Sequence, residues 1–160
     1  MGDRCMVTGV IGGKFSKALV EKLLKDGWCY TATKDCGFCP VIDEAALYGA
    51  ACEEGPLCVE EEEVNYANVD AFMCFCQENG IAFHITHGEG EQYSGGEYYW
   101  VPGMPKPRHW YRSVEGDRTV DLAYIHQVII ACGDDPETAF ERILKHLEME
   151  CPMPPVEILP

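Results

Sequence analysis

The same order of hydrophobic patterns occurs twice in the first half of the chain, and this constrains the fold more than any other feature. In the first copy, residues 5–11 alternate as a strand does, and residues 16–26 have helical periodicity. Ser16 is a residue type that caps helix N-termini, and Gly27 is typical of the position just after a helix. Residues 28–33 return to a strand pattern, so this unit is predicted as strand, helix, strand.

The second copy has strand patterns over residues 57–66 and 81–86. Between them, Asn68 is placed to cap a helix that Gly80 ends. The predicted inward positions of that helix are Val69, Phe72, Met73 and Cys76. Helices that alternate with paired strands predict an α+β fold with a mixed or mostly antiparallel sheet and about three helices. Two such βαβ-like units are compatible with a ferredoxin-like arrangement.

The last third of the chain predicts a hairpin and then one long helix. Residues 110–114 and 119–130 have strand patterns that Gly116-Asp117 joins as a turn. Pro136 suits the first turn of a helix that reaches about Met149. Its predicted inward positions are Phe140, Ile143, Leu144 and Leu147.

Three segments lack a regular pattern. We expect residues 34–56 to be irregular apart from a short helix, and residues 88–109 to form a long loop rich in glycine, proline and aromatic residues. Residues 151–160 are rich in proline and predict an extended C-terminal tail. The sequence therefore predicts a single α+β domain over residues 1–150, followed by this tail.

Acidic residues are concentrated in the middle of the chain. Between Lys34 and Lys106 there are fourteen aspartates and glutamates and no lysine or arginine, in a chain of net charge −15. Such an excess repels nucleic acid and anionic membranes, and it attracts basic proteins. The composition therefore predicts a basic protein partner, no direct binding of nucleic acid and no membrane association.

Carboxylates spaced along a strand can imitate nucleic-acid phosphates on a protein that binds nucleic acid. The run of four glutamates from Glu60 to Glu63 lies in a predicted strand, where successive residues alternate between two faces. Exposed aromatic side chains beside such acids would supply the apolar anchors of an interface. The predicted partner-binding residues are Glu53, Glu54, Glu60, Glu61, Glu62, Glu63, Asp70, Glu89, Glu91, Glu97, Tyr98, Tyr99 and Trp100.

Four cysteines have a spacing that could hold a structural zinc ion. Cys36 and Cys39 form a C-x2-C pair, and Cys52 and Cys58 supply two further thiols. Four thiolates could close a tetrahedral structural zinc site, and apart from this candidate the sequence predicts no cofactor. Most of the other cysteines lie in apolar patterns, where a thiol packs as a small hydrophobic group.

A metal-dependent enzyme is an alternative interpretation. His84 and His87, followed by Glu89 and Glu91, could form an acid/base or metal-binding cluster. The two histidines would share a face only if the strand ended at Thr86, because strand side chains alternate. The common nucleophile and zinc-protease motifs are absent, so we predict no catalytic residues and a protein that is not an enzyme.

These features favour a protein-binding module that inhibits a DNA- or RNA-binding protein by mimicking nucleic acid. Phage anti-restriction and anti-CRISPR proteins are an analogy of charge and size, not of sequence. An acidic accessory protein without catalysis, whose charge serves solubility, is a third interpretation. The chain starts without a basic and apolar leader and lacks the roughly 18 consecutive apolar residues of a membrane helix. We therefore expect a cytoplasmic protein, in the host cytoplasm if a phage encodes it.

Overall fold

The structure is a computed structural model, and it describes residues 3–25, 28–32, 45, 47, 55–65, 68–133 and 135–159. The described residues form four helices and an eight-stranded sheet. The helices are α1 (Lys17–Leu23), α2 (Asp70–Glu78), α3 (Leu122–Cys132) and α4 (Pro136–Leu147). The strands are β1 (Arg4–Phe15), β2 (Cys29–Ala32), β3 (Leu57–Asn65), β4 (Ala82–His87), β5 (Gly95–Trp100), β6 (Arg108–Arg112), β7 (Arg118–Thr119) and β8 (Val156–Ile158). In these described ranges, no helix is both long and apolar enough to cross a membrane.

The sheet is antiparallel except at one strand. Its order is β2-β3-β1-β4-β5-β6-β7, and β8 adds in parallel to the end of β1, where Gly13 pairs with Val156. β3 lies between β1 and β2, and β1 lies between β3 and β4, so the two strand–helix–strand units interleave. The predicted α+β class with a mostly antiparallel sheet is confirmed. The ferredoxin-like assignment stays a prediction.

One face of the sheet, here called the helical face, carries the hydrophobic core beneath α1 and α2. The Ser16 hydroxyl accepts a hydrogen bond from the Leu19 amide and caps α1, as predicted. Asn68, the predicted cap of α2, lies one residue before the N-cap position, which Val69 occupies, and its carboxamide oxygen accepts a hydrogen bond from the Asp70 amide. The core residues from the sheet include Val7, Ile11, Leu57, Phe83 and Ile85, and those from the two helices include Leu19, Val20, Leu23, Phe72, Met73 and Cys76. α2 thus buries the four inward positions that its periodicity predicts, and α1 buries Leu19, Val20 and Leu23 while Ala18 is exposed.

The opposite face, here called the hairpin face, contacts the end of α4 and the segment that follows it. Trp110 Nε1 donates a hydrogen bond to the His146 carbonyl at 2.8 Å, and the Tyr99 hydroxyl donates one to the Pro152 carbonyl at 2.9 Å. The Tyr124 ring of α3 stacks on the His146 ring with centroids 4.4 Å apart. The helical hairpin α3–α4 is therefore attached to the strands β5, β6 and β7.

Two predictions for the last third of the chain are wrong. Residues 119–130 do not continue as a strand, because the Asp121 carboxylate accepts a hydrogen bond from the Tyr124 amide and starts α3 there. Phe140 is 62% exposed, and Ala139 is the buried residue of α4. The other predicted inward positions of this helix, Ile143, Leu144 and Leu147, are half-buried, so Phe140 alone among the four is placed wrongly.

Two predicted irregular segments contain strands. The expected loop over residues 88–109 includes the whole of β5 and the start of β6. The C-terminal segment has no regular element over residues 151–155 and then forms β8, where Val156 is buried. Gly12 makes this docking possible, because a Cβ atom at that position would collide with the Pro154 carbonyl oxygen.

Candidate protein-binding surface

One end of the sheet, where β1 begins and β3 and β4 end, gathers many carboxylates. The strand register sets this arrangement, because Val7 pairs with Glu61 on one side and with His87 on the other. The turn between β6 and β7 lies at the same end, because Arg112 pairs with Arg118 across it. The carboxylates of this acidic end are Asp3, Glu61, Glu62, Asp70, Glu89, Glu91, Glu115 and Asp117. Lys14 and Lys17 lie toward the other end, where β1 leads into α1.

The loop between β4 and β5 is attached to the N-terminal strand at the acidic end. The Asp3 carboxylate accepts a hydrogen bond from the Gln92 amide at 3.3 Å. Within the loop, the Gly90 amide donates to the Tyr93 carbonyl at 3.0 Å. Glu89 and Glu91 are exposed on this loop, so both carboxylates are available to a partner.

The glutamates of the run from Glu60 to Glu63 do not all lie on the same face of the sheet. Glu60 pairs with Thr8 and projects from the hairpin face, whereas Glu61 pairs with Val7 and projects from the helical face. β3 is an internal strand that lies between β2 and β1. Glu63 lies in β3, but its side chain is outside the described residues, as are Glu53 and Glu54.

The sequence predicts that four consecutive residues of β5, from Glu97 to Trp100, lie on the partner-binding surface. This prediction is wrong for three of the four. Glu97, Tyr99 and Trp100 are buried, because β5 lies between β4 and β6 and both of its faces are covered. Tyr98 is half-buried on the helical face. The apolar anchors expected beside the acids are therefore not at these three positions.

Glu97 is 3% exposed and forms the centre of a buried polar network on the hairpin face. Arg118 Nε donates to Glu97 Oε1 at 3.0 Å, a second Arg118 nitrogen contacts the same oxygen, and His84 Nε2 lies 2.7 Å from it. Arg112 Nη1 lies 3.6 Å from the other carboxylate oxygen. Burial opposes ionisation of Glu97, but hydrogen bonds from His84 and Arg118 and the Arg118 charge outweigh it and lower the pKa of Glu97 to about 2.

Among the described residues, one group of three potential metal ligands comes together, namely His84, Glu97 and Cys151. Their ligand atoms lie within 4.8 Å of one another. Arg118 Nη2 contacts both Glu97 and the Cys151 sulfur, the latter at 3.0 Å, so a guanidinium group already bridges two of the three. Burial raises the pKa of the Cys151 thiol despite the hydrogen bond from Arg118, which favours the protonated form that does not bind metals. The arrangement suits a structural ion pair better than a metal.

The predicted zinc site lies mostly outside the described residues. Cys36, Cys39 and Cys52 are outside them, and Cys58 lies in β3, where it pairs with Val10 of β1. The zinc prediction therefore stays a prediction.

The alternative cluster around His84 and His87 is not assembled. β4 continues through His87, so His84 projects from the hairpin face and His87 from the helical face. Glu89 is exposed on the following loop. The three groups cannot reach the same substrate atoms from these positions.

A row of rings on the helical face, near the acidic end, is absent from the sequence predictions. Tyr98 and His109 stack with centroids 4.6 Å apart and planes 11° apart, and Tyr111 meets His109 edge-on at 4.9 Å. On the other side of Tyr98, His87 lies 5.9 Å away. Tyr98 pairs with His109 across β5 and β6, so the row depends on a strand pairing that the sequence analysis did not predict.

Comparison with protein-family models, curated proteins and solved structures finds no match to this chain.

Proposed function

We propose that this protein binds a basic, nucleic-acid-binding protein through the acidic end of its sheet and blocks that partner's nucleic-acid site. The observation that carries the proposal is the placement of acidic residues from five separate parts of the sequence at one end of the sheet. Asp3, Asp70 and Glu89 represent three of these parts, and the register of β1 with β3 and β4 brings them to that end.

The acidic end suits rapid recognition of a basic surface. Exposed charges act over about 8 Å at physiological ionic strength, so carboxylates gathered on one side attract a cationic partner before contact. Because β3 and α2 hold Glu61, Glu62 and Asp70 in a fixed arrangement, a partner meets a preformed array of negative charge, as it does on nucleic acid. The same charge repels nucleic acid itself, and we propose that the protein acts in the cytoplasm, where such partners are found.

Matched charge reversals test the proposal. One variant changes four carboxylates of the acidic end to lysine: Glu62, Glu89, Glu91 and Glu115. The control variant changes four exposed glutamates elsewhere to lysine: Glu78, Glu141, Glu148 and Glu150. Both raise the net charge by the same amount, so a difference between them reports position and not total charge.

The measurement is the capture of basic proteins from a cell extract on the immobilised chain, followed by association kinetics with each purified partner. We expect capture of nucleic-acid-binding proteins that double-stranded DNA displaces, with association rates that fall steeply as salt rises. The acidic-end variant should associate about tenfold more slowly than the control variant. Equal rates for the two variants, or binding that DNA does not displace, would rule out this function.

A further inference from the structure

The row of rings ends in an open position beside a carboxylate. Tyr98 of β5 covers one face of the His109 ring. The opposite face of the His109 ring is directed toward β7, on the other side of β6. His109 and Tyr111 are both exposed, and Tyr111 stands at 64° to His109. The two rings therefore form the adjacent walls of a corner on the protein surface.

Asp121 lies opposite His109. In the pairing of β6 with β7, Arg112 lies opposite Arg118 and Tyr111 lies opposite Thr119. When this register is extended by two residues, Asp121 falls across from His109. Asp121 lies two residues beyond the last pair of that register, and its own backbone is extended, with φ −79° and ψ 162°. The electrostatic effect of Asp121 on His109 is consistent with this placement.

The Asp121 carboxylate is oriented but not neutralised by the hydrogen bonds found among the described residues. One of its oxygens, Oδ1, accepts a hydrogen bond from the Tyr124 amide at 2.6 Å, which fixes the side chain at the start of α3. Arg112 and Arg118 of the adjacent strands project from the hairpin face, where both contact Glu97. Neither guanidinium group can therefore fill the corner.

A planar cation fits this chemistry. A guanidinium group stacks on aromatic rings and donates hydrogen bonds to a carboxylate in the same plane, and lysine lacks that planar geometry. We propose that the exposed face of His109, the Tyr111 ring and the Asp121 carboxylate, here together called the slot, bind the guanidinium group of an arginine side chain from the basic partner. This inference rests on the proposed function, and it identifies arginine as the side chain that the partner inserts.

Binding at this slot depends on pH through His109. Burial, followed by the neighbouring His87, lowers the pKa of His109 and outweighs the opposing effect of Asp121. The imidazole is therefore neutral at pH 7, and its protonation in mild acid places a positive charge against the arginine and beside Asp121. The other titratable groups facing it are the hydroxyls of Tyr98 and Tyr111, and burial raises the pKa of Tyr98, which keeps that hydroxyl neutral.

The test is an NMR titration of the full chain with N-acetyl-arginine amide and with N-acetyl-lysine amide, observed at the ring signals of His109 and Tyr111. We expect saturable arginine binding at pH 7.5 with a dissociation constant on the order of 1 mM, and about fivefold weaker binding of lysine. Arginine binding should also weaken about fivefold at pH 5.0.

Three variants isolate the slot. Asp121→Asn removes the charge and keeps a good N-cap residue, so α3 is retained and arginine binding should weaken about fivefold. Asp135→Asn is the matched control, because Asp135 caps α4 in the same way, with its carboxylate 3.1 Å from the Thr138 amide. His109→Phe keeps an aromatic ring that cannot be protonated, so binding should remain and its loss at pH 5.0 should disappear.

The outcomes separate this inference from the proposed function. Equal arginine affinity in Asp121→Asn and Asp135→Asn, lysine binding as tight as arginine binding, or unchanged pH dependence in His109→Phe would each overturn the slot. The fourfold acidic-end variant keeps His109, Tyr111 and Asp121, so it should still bind free arginine while associating more slowly with the protein partner. If Asp121→Asn leaves association with that partner unchanged while the acidic-end variant slows it about tenfold, the slot is wrong and the proposed function stands.

Discussion

Arg118 and Glu97 form an ion pair in the interior that joins the sheet to the helical hairpin α3–α4. Glu97 belongs to the internal strand β5, and Arg118 Nη1 reaches beyond it to the carbonyl oxygens of Leu147 and Met149, at 3.0 and 2.6 Å. The guanidinium carbon of Arg118 also lies 4.2 Å from the centre of the Trp110 ring. One arginine thus satisfies a buried carboxylate and caps the end of α4, which holds the helical hairpin on the sheet.

Replacement of Glu97 with glutamine should destabilise the protein strongly. The substitution preserves the shape of the side chain but leaves the Arg118 charge in the interior without its counter-charge, at a cost of about 3 kcal/mol. The control is Glu157→Gln, which removes a 3.5 Å surface pair with Lys14 and should change stability by less than about 0.5 kcal/mol. Urea unfolding at pH 7 measures both, and similar values for the two variants would show that the buried charge is not needed.

The same carboxylate should make the stability depend on pH in acid. The pKa of Glu97 is about 2 in the folded chain against 4.5 for an ordinary glutamate. The ionised form is favoured by folding, so this contribution is complete above pH 4.5 and is lost as the pH falls from 4.5 toward 2. It amounts to about 3 kcal/mol, because each pH unit corresponds to about 1.36 kcal/mol.

The measurement is the free energy of unfolding between pH 2 and pH 7 for the parent chain and for Glu97→Gln. The difference between them should shrink below pH 4.5. A constant difference over the whole range would contradict the assigned direction of the pKa change.

Replacement of Phe83 and of Phe140 with alanine should have very different effects on the free energy of unfolding. Phe83 is fully buried in the core, whereas Phe140 is 62% exposed on α4. Phe83→Ala should cost about 4 kcal/mol, because it removes buried apolar surface and leaves a cavity. Phe140→Ala should change the free energy of unfolding by less than about 0.5 kcal/mol. A large loss for Phe140→Ala in chemical denaturation would show that this residue is buried in solution.

Local signals account for the parts of the fold that the sequence predicts well. The Ser16 cap and the apolar spacing of α1 lie within one short segment, and the same is true of Asn68 and α2. Their structures follow from contacts between neighbours in sequence and from one buried face. The strand β4 has apolar alternation at Phe83 and Ile85 that is clear without knowledge of its partners.

The errors occur where distant residues decide the structure. The start of β5 is Gly95-Gly96-Glu97, which is typical of a loop, and it becomes a buried strand because Arg118 neutralises Glu97 from 21 residues away. The segment 119–130 is rich in residues that favour strands, and Asp121 converts most of it to a helix by capping α3.

The sequence predicts that the candidate site is an acidic surface, but it does not predict which residues come together there. The charge count identifies an acidic surface, but only the register between strands shows that Asp3, Asp70 and Glu89 share one end of the sheet. That register also removes Glu97 from the surface, and its extension by two residues brings Asp121 near His109. Neither relationship is visible in the spacing of residues along the chain.

The last prediction concerns the junction between the C-terminal segment and the sheet. A Cβ atom at Gly12 would overlap the Pro154 carbonyl oxygen, so Gly12→Ala should push residues 152–155 away from β1 and weaken the pairing of β8. Gly88→Ala is the matched control, because nothing lies within 4 Å of the added atom there. In hydrogen exchange, the Val156 amide, which donates to the Gly55 carbonyl at 3.0 Å, should lose protection in Gly12→Ala and keep it in Gly88→Ala. Undiminished protection of this amide in Gly12→Ala would show that the close approach of Pro154 to β1 does not hold β8 in place.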